Sequence, residues 1–201
     1  MKRIQKKFQS IREIFWPLLE EKKENKIKKI KLNDIKINKN NLKLAYTLAQ
    51  KCFEEEEERN KTIESKSTIF IGILSVAITV LIAFSKFWEV DTTNIYLKLI
   101  SIFAVVVLFI FLAYAISSIY YAYKVLQRRG FHFIEYPDFI KLGNEEDYLR
   151  EIIKVYINIT KQNGILVNEK VDYMTMSQEY FIRSVIMIFP IAVVLFVKNI
   201  F

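Results

Sequence analysis

Two stretches of this sequence contain no Lys, Arg, Asp or Glu: residues 67–85, "STIFIGILSVAITVLIAFS", and residues 99–123, "LISIFAVVVLFIFLAYAISSIYYAY". An apolar run of about 18 residues or more, rising roughly 1.5 Å per residue as a helix, matches a hydrocarbon core about 30 Å thick. Inside lipid every backbone N–H and C=O must be satisfied within the protein, which leaves helices as the spanning form for runs of this kind. The expected class is therefore an all-α integral membrane protein, with spans at about 67–87 and 97–123.

The chain has 201 residues, is 52% hydrophobic, and yet carries a net charge of +8, so the two residue types must be segregated. A third apolar stretch, "YFIRSVIMIFPIAVVLFVKNIF" (180–201), is uncharged only between Arg183 and Lys198. It reaches across a bilayer if both ends snorkel to the headgroups. The other reading is a re-entrant element. Pro190 near its centre favours the span, because a membrane helix tolerates the kink that breaks a soluble one.

Basic residues near the span ends set orientation. Lys crowds the segment before the first span, whereas the loop "KFWEVDTTNIYLK" between the first two is short, charge-balanced, and holds Trp88 and Tyr96 as interfacial aromatics. The N-terminus and residues 124–179 are thus expected in the cytoplasm, on the inner face of a bacterial inner membrane. The start "MKRIQKKFQSIREIF" lacks a continuous apolar core and a cleavage site, so the first span is expected to act as the targeting signal.

Four regions follow: 1–40, a basic N-terminal segment; 41–123, a stalk helix with the membrane hairpin; 124–179, a helical cytoplasmic region; and 180–201, the third span. In the first, "QSIREIFWPLLEE" puts Ile11, Ile14, Phe15, Leu18 and Leu19 on one face. That helix either lies in the inner membrane interface, drawn by anionic lipid, or packs on the other cytoplasmic helices. In "KIKLNDIKI" apolar and basic residues alternate about Asn33 and Asp34, a small β-hairpin signal at 29–37 whose alternative is a flexible basic linker.

No Gly or Pro interrupts residues 42–71, which predicts one helix of about 40 residues running into the first span. Leu44, Leu48, Cys52, Arg59, Ile63, Lys66 and Phe70 form its expected stripe, with Cys52 a small packing residue. The run Glu54 to Glu58 lies on this stalk, with Glu55 four residues before Arg59, and Glu57 and Glu58 placed to pair with Lys61. Glu55, Glu58, Arg59 and Lys66 are the expected stalk or gating charges, the alternative being an ordinary solvated face. Further on, Ile152, Tyr156, Ile159, Asn163, Leu166, Lys170, Tyr173, Ser177 and Tyr180 follow a 4-3-4-3 repeat, the pattern of a coiled-coil seam. Asn163 and Lys170 are its polar members, and "QNG" at 162–164 leaves open whether the helix breaks there.

Catalytic and cofactor chemistry finds little footing. The lone histidine, His132, has no nucleophile and orienting group around it in sequence, and no HExxH, paired CxxC, Walker or GxGxxG motif occurs. A membrane enzyme would have to rest on His132 with Arg128 and Arg129. Those arginines read first as the positive anchor of the second span, and second as a phosphate or nucleotide contact together with His132. No enzyme activity, no cofactor and no metal are expected. Ser67, Thr68, Ser75 and Thr79 in the first span either line a narrow pore or make interhelical hydrogen bonds. With so few spans per chain, conduction requires a homo-oligomer.

The segment "RNKTIESKSTIFIGILS" (59–75), with Glu64 two residues before Lys66 and the small Ser67 at the span entry, resembles the membrane module of bacterial antiphage effectors of the Pycsar type and, more loosely, of SLATT proteins. Tyr156, Asn163, Asn168 and Lys170 are similar to the helix that returns to the membrane in those proteins. These 201 residues depart from that pattern in lacking an obvious separate nucleotide sensor domain. The resemblance implies an oligomer that permeabilises or depolarises the inner membrane of an infected cell. It also implies a nucleotide second messenger or oligonucleotide activator, and a neighbouring nucleotidyltransferase or cyclase system. The competing expectation is a non-conducting membrane scaffold or regulatory subunit that recruits a cytoplasmic defence partner.

Overall fold

The computed structural model describes residues 16–17, 37–83, 95–127, 130–134 and 144–200. Among the described residues three long helices dominate: α1 (Leu42–Ala83), α2 (Ile95–Leu126) and α3 (Glu145–Ile200), with a 3-10 turn, Lys39–Asn41, leading into α1. By length and composition all three are able to cross a membrane. Among the described residues there is no strand. The β-hairpin expected at 29–37 falls, except for Ile37, outside the described residues, as does most of the amphipathic stretch around Trp16 and the loop after the first span.

α1 is 42 residues long, close to the length expected from its uninterrupted pattern. α3 runs 56 residues without a break at Gly164 or at Pro190. Gly164 is helical because a single Gly costs only about 1 kcal/mol relative to Ala. Pro190 removes one N–H from a helix that is otherwise continuous, a loss that membrane helices accommodate.

The described residues fall into two compact units, and α1 and α3 contribute to each. One unit contains residues 65–83, 95–126 and 172–200 with Trp16 and Pro17; it is nearly all apolar. Its core is Leu74, Val107, Phe111, Ala115 and Ile191. Here α2 runs antiparallel to α3: Tyr114 lies against Tyr180, Ser118 against Ser177, and Tyr121 against Tyr173. α1 runs parallel to α3, since Ser67 meets Met174 and Phe70 stacks on Phe181. This alternation of direction is what three successive crossings of a bilayer demand. Phe109, Phe189 and Phe196 point outward and are exposed, an arrangement unfavourable in water and natural in lipid.

Between α2 and α3 two serines form a reciprocal clasp. Ser118 donates to the Ser177 carbonyl at 2.8 Å, Ser177 donates to the Ser118 carbonyl at 2.9 Å, and both residues are fully buried. Small side chains let the helices approach closely there, and each hydroxyl finds an acceptor on the facing backbone.

The other unit contains residues 37–64, 127, 130–134 and 144–171, and carries most of the described charge. Leu42, Ala49 and Ile153 form its apolar centre, flanked by Tyr46 and Tyr156 in edge-on contact at 5.9 Å. The segment leading into α1 and the start of α3 are stitched together by charge. Glu146 accepts from Lys39 at 2.7 Å and from Arg150 at 3.1 Å, and Arg150 also donates to the Ile37 carbonyl at 3.2 Å. Glu145, Glu146 and Asp147 suit the positive end of the α3 dipole.

Two expected stripes need correction. Leu44, Leu48 and Cys52 are exposed, so Cys52 is not a packing residue. The inward face of α1 instead passes through Leu42, Ala49, Phe53, Ile63, Ser67 and Leu74. On α3, Val167 and Met174 are buried where Leu166 and Tyr173 were expected, because α3 is covered from two sides and its buried strip is wider than a two-helix seam.

Two tests follow from this packing. The hydrogen bond from Lys39 lowers the Glu146 pKa and, reciprocally, the one to Glu146 raises that of Lys39. The pair therefore supports the fold fully between the unfolded carboxylate value of 4.5 and the unfolded lysine value of 10.5. Its contribution disappears as pH falls through the lowered Glu146 value or rises through the raised Lys39 value. Glu146→Gln is expected to flatten the acid limb in hydrogen exchange of the α3 start. Separately, a Cβ at Gly164 meets nothing nearer than Glu56 Oε1 at 3.9 Å, an ordinary contact. Gly164→Ala should raise stability by about 0.5–1 kcal/mol in thermal unfolding.

Candidate functional site

The most structured polar feature lies between α1 and α3 in the charged unit. Lys170 is only 6% exposed. Its ammonium donates to Glu64 Oε1 and, at 2.9 Å, to Asn60 Oδ1, while Asn60 donates to Glu64 Oε1 at 3.2 Å. A buried ammonium is tolerable only when its donors are matched by a carboxylate and further acceptors, and here all three groups interlock. Glu64 and Lys170 were singled out from sequence separately; the structure brings them together and adds Asn60.

Nearer the α1 start, Arg59 donates to Asn168 at 3.0 Å and to Glu56 at 3.4 Å. Glu56 Oε2 is buried without a hydrogen-bond partner, beside Gly164. The expected partner of Arg59, Glu55, lies on the outer face and pairs with Lys51 at 3.9 Å. Asn168 is the reason: it draws the guanidinium toward α3, and Glu56 is the carboxylate on that side. Lys61 pairs with Glu57 at 2.6 Å, as its spacing predicts. Glu58 and Lys66 are exposed. At such exposure these outer pairs contribute little.

Asn163 is fully buried. Its side-chain amide makes two hydrogen bonds with the backbone of His132, accepting from the N–H at 2.9 Å and donating to the C=O at 3.0 Å. It thereby pins the irregular segment 130–134 to α3, helped by Phe131 packing on Phe53 at 6.3 Å. The His132 side chain itself is exposed. Arg128 and Arg129, the other members of the expected phosphate contact, lie outside the described residues. Among the described residues no three His, Cys, Asp or Glu side chains gather as metal ligands do.

In the apolar unit, the four polar residues of the first span do not share one face. Ser67 is fully buried and donates to the Met174 sulfur at 3.2 Å, an interhelical contact. Thr68, Ser75 and Thr79 are exposed, with Gly72 on the same side. The Ser75 hydroxyl bonds back to the Ile71 carbonyl at 2.7 Å, and Thr79 to Ser75 at 2.8 Å. Only 11% of the most apolar window of α1 is buried in the chain, against 33% for α2 and 28% for α3.

Sequence reasoning missed Asn60, Glu56, and the Ser118–Ser177 clasp. The first two were readable: Leu42, Tyr46, Ala49, Phe53, Glu56, Asn60, Ile63, Ser67, Phe70 and Leu74 keep a 4-3-4-3 spacing along α1 that matches the one on α3. Leucine content directed attention to the adjacent strip.

Breaking the Lys170 cluster should be asymmetric. Glu64→Leu leaves a charge in a nearly closed site and is expected to cost about 3–5 kcal/mol, whereas Lys170→Met should cost less, because Glu64 retains access to water. The double variant should recover much of the loss in a double-mutant cycle followed by thermal unfolding. Compared with known proteins, the chain matches no family model, no curated protein and no solved structure.

Proposed function

We propose that this protein is a membrane-embedded effector that acts as a homo-oligomer and, when activated from the cytoplasm, permeabilises or depolarises the bacterial inner membrane. The observation that carries this reading is the uncovered side of the first span. Thr68, Gly72, Ser75 and Thr79 are exposed together on the helix that its own chain covers least. Small and hydroxyl-bearing residues at such spacing favour close helix–helix contact and suit a narrow polar path when several copies gather. The positive residues before α1 and after α2 favour a cytoplasmic N-terminus. An antiviral role rests on the resemblance of residues 59–75 to antiphage membrane modules. The trigger in this reading is a nucleotide or oligonucleotide whose phosphates meet Arg128, Arg129 and His132.

A second reading is favoured by one specific observation: Ser75 and Thr79 are already satisfied by their own helix carbonyls and need no water. In that case the protein is a sealed scaffold that recruits a cytoplasmic defence partner.

One experiment separates them. Full-length protein in liposomes should pass ions once a candidate activator is added, and Ser75→Leu with Thr79→Leu should lower that flux at least tenfold without changing thermal stability. Cells carrying the protein should lose membrane potential on phage infection. Liposomes that stay sealed with every nucleotide tested, together with cells that keep their potential through infection, would sink the effector reading.

A further inference from the structure

Residues 130–134, between α2 and α3, are extended at their centre. Asn163 accepts from the His132 N–H at 2.9 Å and donates to the His132 C=O at 3.0 Å. Both groups of one residue meet a single neighbour when the backbone is extended, because each residue then directs its N–H and C=O to the same edge. The side chains agree. Phe131 and Phe133, two residues apart and so on one face, bring their rings within 5.3 Å, and Phe131 rests on Phe53 at 6.3 Å. The Asn163 amide thus stands where a neighbouring strand would, along one edge of the segment.

The opposite edge is open. Phe131 and Phe133 direct their N–H and C=O away from the edge that His132 presents to α3, and among the described residues no backbone hydrogen bond reaches either of them. Phe133 is 65% exposed, His132 is exposed, and a Cβ at Gly130 would meet nothing within 4 Å. An unprotected edge of this kind is a template for a further strand. The sequence indicates which strand. Phe131, His132 and Phe133 read the same in both directions, so an antiparallel copy of the segment centred on the same histidine sets Phe131 opposite Phe133 on either side. Each such pair exchanges both of its backbone bonds and lays ring beside ring, a favourable cross-strand combination.

We propose that two copies of this chain join through the outer edge of residues 131–133, as a two-stranded antiparallel ribbon centred on His132. A twofold axis through His132 makes the contact isologous and closed. The inner edge of each strand is already taken by Asn163, so the ribbon ends at two strands. Asn163 also holds the segment extended beforehand, which leaves little ordering to be done when the copies meet. The pairing names one contact between copies and stands whether or not the protein conducts ions.

The test uses full-length Cys52→Ser protein, which has no other cysteine, in liposomes. His132→Cys in that background puts the two thiols at opposed residues that share no backbone bond, with Cα atoms about 4.5 Å apart and within disulfide range. Gly130 stands opposite Ile134 of the second copy, so Gly130→Cys lies roughly 13 Å along the ribbon from its own counterpart and outside that range. Mild oxidation should therefore give covalent dimer at least tenfold faster from His132→Cys than from Gly130→Cys. Adding Phe133→Pro to His132→Cys deletes one outer-edge N–H per copy. It spares the bonds to Asn163, because the residue before a proline favours the extended form that position 132 already has. Dimer formation should slow at least fivefold, whereas Phe133→Leu, which keeps the N–H, should leave it fast. Equal rates at 130 and 132 overturn the antiparallel register, and no dimer from either overturns pairing between copies. A Phe133→Pro rate equal to that of its parent overturns the backbone contact. Fast crosslinking in liposomes that stay sealed with every activator supports the ribbon and counts against the effector reading alone.

Discussion

A lysine that cannot reach water freely governs the packing of the two longest helices. Lys170 sits between α1 and α3 with its donors matched to Glu64 and Asn60, and an alignment that moved it into the uncharged run of α1 would strand that charge. Around it the seam is filled by what the polar cluster permits: Asn168 meets Arg59 on one side, and Ser67 meets Met174 on the other. Apolar seams give strength but tolerate sliding, whereas a buried charge with one carboxylate in reach sets a unique pairing at some cost in stability.

The apolar unit follows a different rule. Among Leu74, Val107, Phe111, Ala115 and Ile191 the contacts are close and nonspecific, and lipid is as apolar as the side chains themselves. Specificity there comes from the few polar groups, above all the Ser118 and Ser177 hydroxyls, which reach across to backbone carbonyls. Ser75 and Thr79, by contrast, bond within their own helix and leave their side of α1 uncommitted. Binding of helices by backbone-directed hydroxyls on one side and an open face on the other is the physical basis for reading the chain as a subunit of something larger.

The three apolar helices were legible in the sequence because hydrocarbon thickness imposes a length and forbids charge, and both limits can be counted. Lys170 and Asn163 were legible as polar interruptions of a heptad pattern. Their pairings were not: Asn163 turned out to hold the His132 backbone, a contact from a segment without periodicity, and Glu64, visible in the sequence by itself, had no local pattern to set it against Lys170, more than 100 residues away. The Leu44, Leu48 and Cys52 strip failed for the same reason, since hydrophobicity marks faces that are able to pack and does not say which one has a neighbour in the same chain. The hydrogen bond from Tyr180 to the Pro17 carbonyl joins positions far apart in sequence, and no local pattern encodes it.

The parallel course of α1 and α3 gives the Lys170 pairing a direction. If α3 advanced by one heptad along α1, Lys170 would leave Glu64 and come opposite Ile71, inside the uncharged run, where an ammonium has neither counter-ion nor solvent. If it retreated by one heptad, it would come opposite Glu57, another carboxylate in a solvated stretch. Displacing α3 along α1 would therefore cost more toward the uncharged run than toward the charged end.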